Sequence, residues 1–166
     1  MSLAAPFFVL AAVSYVQLTW LAGVGAVGLS VDLVLLVLVY FAARLGAHRG
    51  QILGFGVGLL EDALGLSPLG YYAVVRLTIG LVSGRLKGKL REDRLLRPLV
   101  LVTVALVARY VTASLLALAA NLPDALGRMY SGVGLVEAGI TLALAPLVFW
   151  AIGTVERMIG VRSTAR

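Results

Sequence analysis

Eleven of the fourteen lysines and arginines in this chain fall in three short stretches: residues 44–49, residues 85–97 and the tail from residue 156 onward. Of the other three, Arg128 stands in an intervening connection, and Arg76 and Arg109 stand inside apolar runs. Cations gathered at every second connection are the pattern of a helical membrane protein whose basic loops stay in the cytoplasm. The composition fits: 61% of residues are hydrophobic and 13% charged, where soluble chains carry about a quarter charged. At ~20 residues per span, 166 residues hold about six short-looped helices and no extramembrane domain. The net charge of +6 then reports orientation and not a nucleic-acid partner. With no cysteine, disulfides, thiolate nucleophiles and zinc–cysteine sites are excluded.

The expected architecture is all-α, a single integral membrane domain over residues 1–166 with both termini cytoplasmic. Its spans are expected at about 4–23, 28–43, 50–66, 69–84, 98–120 and 132–154. The first apolar run has no cation before it and is too long for a signal-peptide core, so it reads as a retained helix. Tyr15 and Trp20 in its outer half read as interfacial anchors. The second span is short and begins near Asp32. Either it reaches back into the turn made by Gly23, Gly25, Gly28 and Ser30, or the bilayer thins around it. Ser67-Pro68-Leu69-Gly70 makes a tight turn between the third and fourth spans, and Pro98 opens the fifth. The basic stretch 85–97 reads two ways. It is a solvated loop, or an interfacial helix resting Leu86, Leu90 and Leu95 on the bilayer while Lys87, Lys89, Arg91 and Arg94 meet anionic lipid or a cytoplasmic partner.

Glycine recurs every fourth residue at Gly50, Gly54 and Gly58, and Asp62 continues that strip with Glu61 beside it. On the fourth span Tyr72, Arg76, Gly80 and Gly84 keep the same spacing. In lipid such strips let two helix backbones approach closely, so Gly50, Gly54, Gly58, Gly80 and Gly84 are the expected packing surface. Ionisable residues on such faces turn toward protein and mark buried contacts or pathways. Glu61, Asp62, Arg76, Arg109 and Glu137 are therefore the expected intramembrane charge network. Asp62 or Glu61 is expected to pair with Arg76, across an axial offset of ~5 Å. Thr141 and Ala145 fall on the Glu137 side of the sixth span. Two uses of these charges stay open: locking helix order, or lining an outward cavity that receives a ligand or partner helix.

Catalytic readings find little support. Glu61 and Asp62 are adjacent and diverge by ~100° on a helix, and the lone His48 lies in a basic connection, which leaves no metal set and no Ser-His-Asp triad. The glycine strips lack the strand–turn–helix setting of a nucleotide loop. No enzyme activity and no cofactor are expected.

From Ser30 to Leu86 the chain resembles the rod shape-determining MreD family of bacterial inner-membrane proteins. The likeness rests on Asp32-Leu33 opening a Leu/Val span and on the basic turn after it. It continues through Gly54-Phe55, Gly58-Leu59, Asp62 and Ser67-Pro68-Leu69-Gly70. Val31 stands where the family often has proline, and Glu61 adds a second acid beside the usual aspartate. The resemblance implies a non-catalytic scaffold of the machinery that elongates the lateral cell wall. It would partner an MreC-like single-span protein and, in a larger complex, RodA, a class B penicillin-binding protein and MreB, and it could form a homodimer. The family's fold is similar to the S components of energy-coupling-factor transporters, so a vitamin-binding S component is the alternative. Against it, the small pair Ala22 and Ala26 falls at the outer end, and Tyr15 and Trp20 stand alone as cage aromatics.

Overall fold

Residues 33–43, LVLLVLVYFAA, carry no charge and present no polar face, so a helix made of them has to be wrapped on every side. The computed structural model describes residues 3–24, 31–65, 70–89, 93, 96–119 and 130–158. Among them the chain is all-helical: α1 Ala4–Val24, α2 Leu33–Leu45, α3 Ala47–Leu64, α4 Tyr71–Arg85, α5 Leu96–Ala119 and α6 Gly132–Met158. The turn residues Gly25, Gly28, Ser30, Ser67, Pro68 and Leu69, the cations Arg91 and Arg94, and the connection around Asn121 and Pro123 lie outside the described residues, as do the side chains of Trp20 and Ala22.

Helix α2 is the axis of the bundle. Its ten residues from Val34 to Ala43 are all buried, and each of the other five helices packs against it. At 13 residues it is ~20 Å long, short of the ~30 Å hydrocarbon core. Protein and not lipid surrounds it, so its length has no bilayer thickness to match. It does not reach back toward residue 28, because Asp32 caps it by accepting the Leu35 N–H at 2.8 Å.

The expected basic connection at 44–49 is almost absent as a loop. Gly46 alone divides α2 from α3, with φ 97° and ψ 172°, a conformation that side-chain-bearing residues rarely adopt. Arg44 thus lies in the last turn of α2, while His48 and Arg49 lie in the first turn of α3. Helix α5 starts two residues before Pro98, which still lies in the first turn, where a missing N–H costs no intrahelical bond.

Helices α3 and α4 are antiparallel and touch backbone to backbone. A methyl group on Gly50 would stand 2.5 Å from the Gly80 carbonyl oxygen, and one on Gly84 would stand 2.6 Å from Ala47 Cα. Gly54 lies directly against the Arg76 carbonyl, Gly58 against Tyr72 and Ala73, and Gly80 against the Gly50 carbonyl. Four residues forward on α3 match four residues back on α4, which sets one register over the whole pair.

Around α2, helix α1 packs on α3, α3 on α4, α4 on α5 and α5 on α6. Among the described residues two segments, Leu96–Ala119 and Gly132–Val155, are long and apolar enough to cross a membrane.

Candidate functional site

The α3–α4 register brings the end of α3 beside the start of α4, and the start of α2 comes to the same end of the bundle. There the first amides of α2 need acceptors, as at any helix N-terminus. Asp32 supplies one through its cap. Gln17 of α1 supplies another, its Oε1 accepting the Val34 N–H at 3.2 Å. Asp32 is itself 3% exposed, and an ionised carboxylate at that depth needs cationic partners.

Arg76 of α4 is the principal partner. Its Nη1 and Nη2 donate to Asp32 Oδ2 and Oδ1, each at 3.0 Å. Its Nε and Nη2 donate to Glu61 Oε2 and Oε1 of α3 at 2.8 and 3.1 Å. One guanidinium therefore makes two-pronged contacts with two carboxylates, the geometry in which arginine binds most strongly. Arg109 of α5 extends the chain of charges, donating from Nη1 to Asp32 Oδ2 at 3.0 Å. Its Nη2 lies 3.3 Å from Glu137 Oε1 of α6. Thr141, one turn along α6, accepts the Asp32 backbone N–H on Oγ1 at 3.3 Å. All five helices around α2 thus send a polar side chain to its N-terminal end: Gln17, Glu61, Arg76, Arg109 and Thr141.

The hub is closed on one side and half open on the other. The side chains of Arg76 and Asp32 are each 5% exposed and Glu61 9%, whereas Arg109 is 27% and Glu137 20% exposed. At the open side, Tyr110 donates to the Gly134 carbonyl at 3.0 Å, and Ser114 Oγ lies 2.9 Å from the Tyr130 hydroxyl, tying α5 to the start of α6.

Asp62 is not part of the hub, and this corrects the expected network. Neighbouring residues on a helix point ~100° apart, so Glu61 and Asp62 cannot both face Arg76. Asp62 stays on the glycine strip and meets the start of α4. Its Oδ2 accepts the Gly70 and Ala73 N–H groups, each at 3.0 Å, and its Oδ1 accepts the Tyr72 N–H at 2.9 Å. It caps a helix N-terminus from a neighbouring helix and complements that helix's dipole.

Asp32 is the member that sequence reasoning missed. An acid directly before an apolar helix reads as a cap, and it is one; nothing local reveals that it also joins two arginines. The helical spacing put Thr141 on the side of Glu137, whereas Gln17 stood out only as a polar residue on an apolar span.

At the opposite end of the bundle, Lys87 and Lys89 are exposed on a tight turn after α4, with Gly88 at φ 71°. His48 is exposed there as well. It precedes Glu61 by most of the length of α3, ~20 Å along the axis, so it cannot act with the hub carboxylates. The four oxygens of Asp32 and Glu61 are all occupied by guanidinium or amide donors. Carboxylates held this way are poor bases and nucleophiles, so the arrangement orders helices and does not present reactive groups.

No curated protein and no solved structure matches the chain. The family model for rod shape-determining protein MreD matches residues 1–152, nearly the whole of the described bundle. MreD proteins are membrane-associated structural proteins of rod-shape determination and are not known as enzymes. The glycine-registered α3–α4 pair, the Asp32 and Asp62 caps, the apolar helix α5 and α6 as far as residue 152 fall within the matched residues, and the chain belongs to the MreD family.

Proposed function

We propose that this protein is a non-catalytic, multi-pass scaffold of the bacterial cytoplasmic membrane, working in the machinery that elongates the lateral cell wall. It crosses the membrane six times with both termini in the cytoplasm. It binds an MreC-like single-span protein and, through that complex, acts beside RodA, a class B penicillin-binding protein and MreB in the control of peptidoglycan synthesis. Family membership supports the role in shape. The structural observation that carries the scaffold reading is the closed half of the hub: Glu61, Arg76 and Asp32 are bonded to one another, so the bundle's deepest charges hold its own helices together.

A vitamin-binding S component is less well supported, since it needs interior polar groups aimed at a ligand and not at each other. The test is co-purification of the MreC-like protein with the wild-type chain and with Arg76→Gln, beside an activity assay on lipid-linked cell-wall precursors. The scaffold reading expects a partner that is retained by the wild-type chain and lost with Arg76→Gln, and no turnover by the isolated chain. Turnover that disappears with Asp32→Asn would overturn it.

A further inference from the structure

Two basic segments that are separate in the sequence, 44–49 and 85–89, are brought to one place by the α3–α4 register. Gly84 packs against Gly46 and Ala47, so the last turn of α4 stands on the first turn of α3. The Lys87 side chain crosses this junction, its Cδ lying 3.5 Å from where a methyl on Gly46 would be. Arg49 follows three residues after Gly46, and Arg49, His48, Arg85, Lys87 and Lys89 are all exposed. Together segments 44–49 and 85–89 hold five lysines and arginines and no acid. Arg44 is turned elsewhere, donating to the Tyr40 hydroxyl at 2.6 Å with its guanidinium 5.3 Å from the Tyr40 ring centroid.

We propose that the foot of α3 and α4 is a binding site for one anionic phospholipid, with Arg49, Lys87 and Lys89 holding the headgroup phosphate and the exposed face of α3 holding an acyl chain. The second half of this site distinguishes a lipid from an acidic protein. Directly along the helix from His48, at helical spacing, come Ile52, Phe55 and Leu59, each 45% exposed. A cationic foot continued by an exposed apolar row matches a molecule with a phosphate at one end and hydrocarbon at the other. An acidic protein surface would use only the cations. Long basic side chains near a bilayer surface add attraction for anionic headgroups, and Lys87 and Lys89 can extend from the turn toward that level.

The inference rests on the membrane reading of the chain but not on its orientation. The test uses the full chain purified from detergent with an equimolar mixture of phosphatidylglycerol and phosphatidylcholine, bound lipid being counted by native mass spectrometry. The wild-type chain is expected to retain phosphatidylglycerol preferentially. Arg49→Gln and Lys87→Gln should each lower its retention roughly fivefold, while Arg49→Lys should keep most of it. A thermal melt of each variant shows whether it is folded, and Arg128→Gln, a cation removed from outside both basic stretches, should leave retention unchanged. Equal retention of the two lipids by the wild-type chain would overturn the proposal. So would an Arg49→Gln variant indistinguishable from the wild-type chain, because the 85–97 stretch would then act without α3. Release of phosphatidylglycerol by excess inorganic phosphate would mean a simple phosphate site and would also overturn it. A cysteine at Gly88 labelled from outside the cell would instead sink the orientation and leave the lipid result standing.

Discussion

Arg76 bonds two carboxylates at once, so its loss leaves two buried acids without their main cation. Removing one partner of such a group costs about 3–5 kcal/mol, and removing both members of a pair costs much less than the sum. Arg76→Gln and Glu61→Gln are therefore expected to lower stability by about that amount singly, with the double variant short of additivity by roughly 1–3 kcal/mol. Thermal unfolding in detergent measures the cycle, and strict additivity would mean the contact carries no coupling. Asp62→Asn is expected to behave differently, weakening a helix cap by about 1 kcal/mol and adding independently to Arg76→Gln. The Glu61–Arg76 contact was within reach of sequence reasoning, because a short turn and two helical strips give the axial offset. The division of labour between Glu61 and Asp62 followed only from the register, which carries Asp62 to the amides of Gly70 and Tyr72. The place of Asp32 was out of reach. Its partners lie 44 and 77 residues away in the chain, and no local pattern encodes that distance.

Two kinds of helical glycine occur among these elements, and they call for opposite outcomes. Gly54 lies against the Arg76 carbonyl, so a methyl there forces α3 and α4 apart and stretches the contacts of Arg76 with Asp32 and Glu61. Overpacking of this kind costs about 1–3 kcal/mol. Gly139 of α6 has nothing near the position of an added methyl. Gly139→Ala is therefore expected to be neutral or to stabilise by up to about 1 kcal/mol, through helix propensity alone. The melting temperature of Gly54→Ala should fall and that of Gly139→Ala should hold or rise, and a Gly54→Ala variant as stable as the wild-type chain would count against the close packing. Fourfold spacing made the α3 and α4 strips legible, since a helix has few other reasons to place glycine on one face. Helix α2 was harder to read. Its uniform apolarity suited a lipid-facing span as well as a buried axis, and only its 13-residue length hinted that lipid is not its neighbour. Gly46 was hidden inside a basic stretch that looked like a loop, where a single left-handed residue sufficed to start a new helix.

For the molecule as a whole, charge is divided between the two ends of the bundle. The hub of Asp32, Glu61, Arg76, Arg109 and Glu137 gathers toward the end where α2 and α4 begin, while Arg49, Arg85, Lys87 and Lys89 gather where α3 begins and α4 ends. Helix direction alternates along the chain: Gln17 of α1 meets the start of α2, and Arg109 and Ser114 of α5 meet Glu137 and Tyr130 in descending order. The beginning of α1 and the end of α6 therefore lie toward the basic end. Cationic connections are retained on the cytoplasmic side, so the proposed orientation would put that end inside and the hub beneath the outer surface. Arg76 then sits five residues, or ~8 Å, from the outer end of α4, a depth at which arginine inside lipid is tolerable only with partners such as these. The absence of native cysteine makes the test clean. Single cysteines at Gly25, Ser67 and Asp124 are expected to react with an impermeant maleimide added to intact spheroplasts, and those at His48, Gly88 and Ser163 only after lysis. Labelling at Gly88 before lysis is the decisive contrary result. That position lies among six cations between residues 85 and 97, the strongest orienting charge in the chain, and its exposure outside would invert every helix at once.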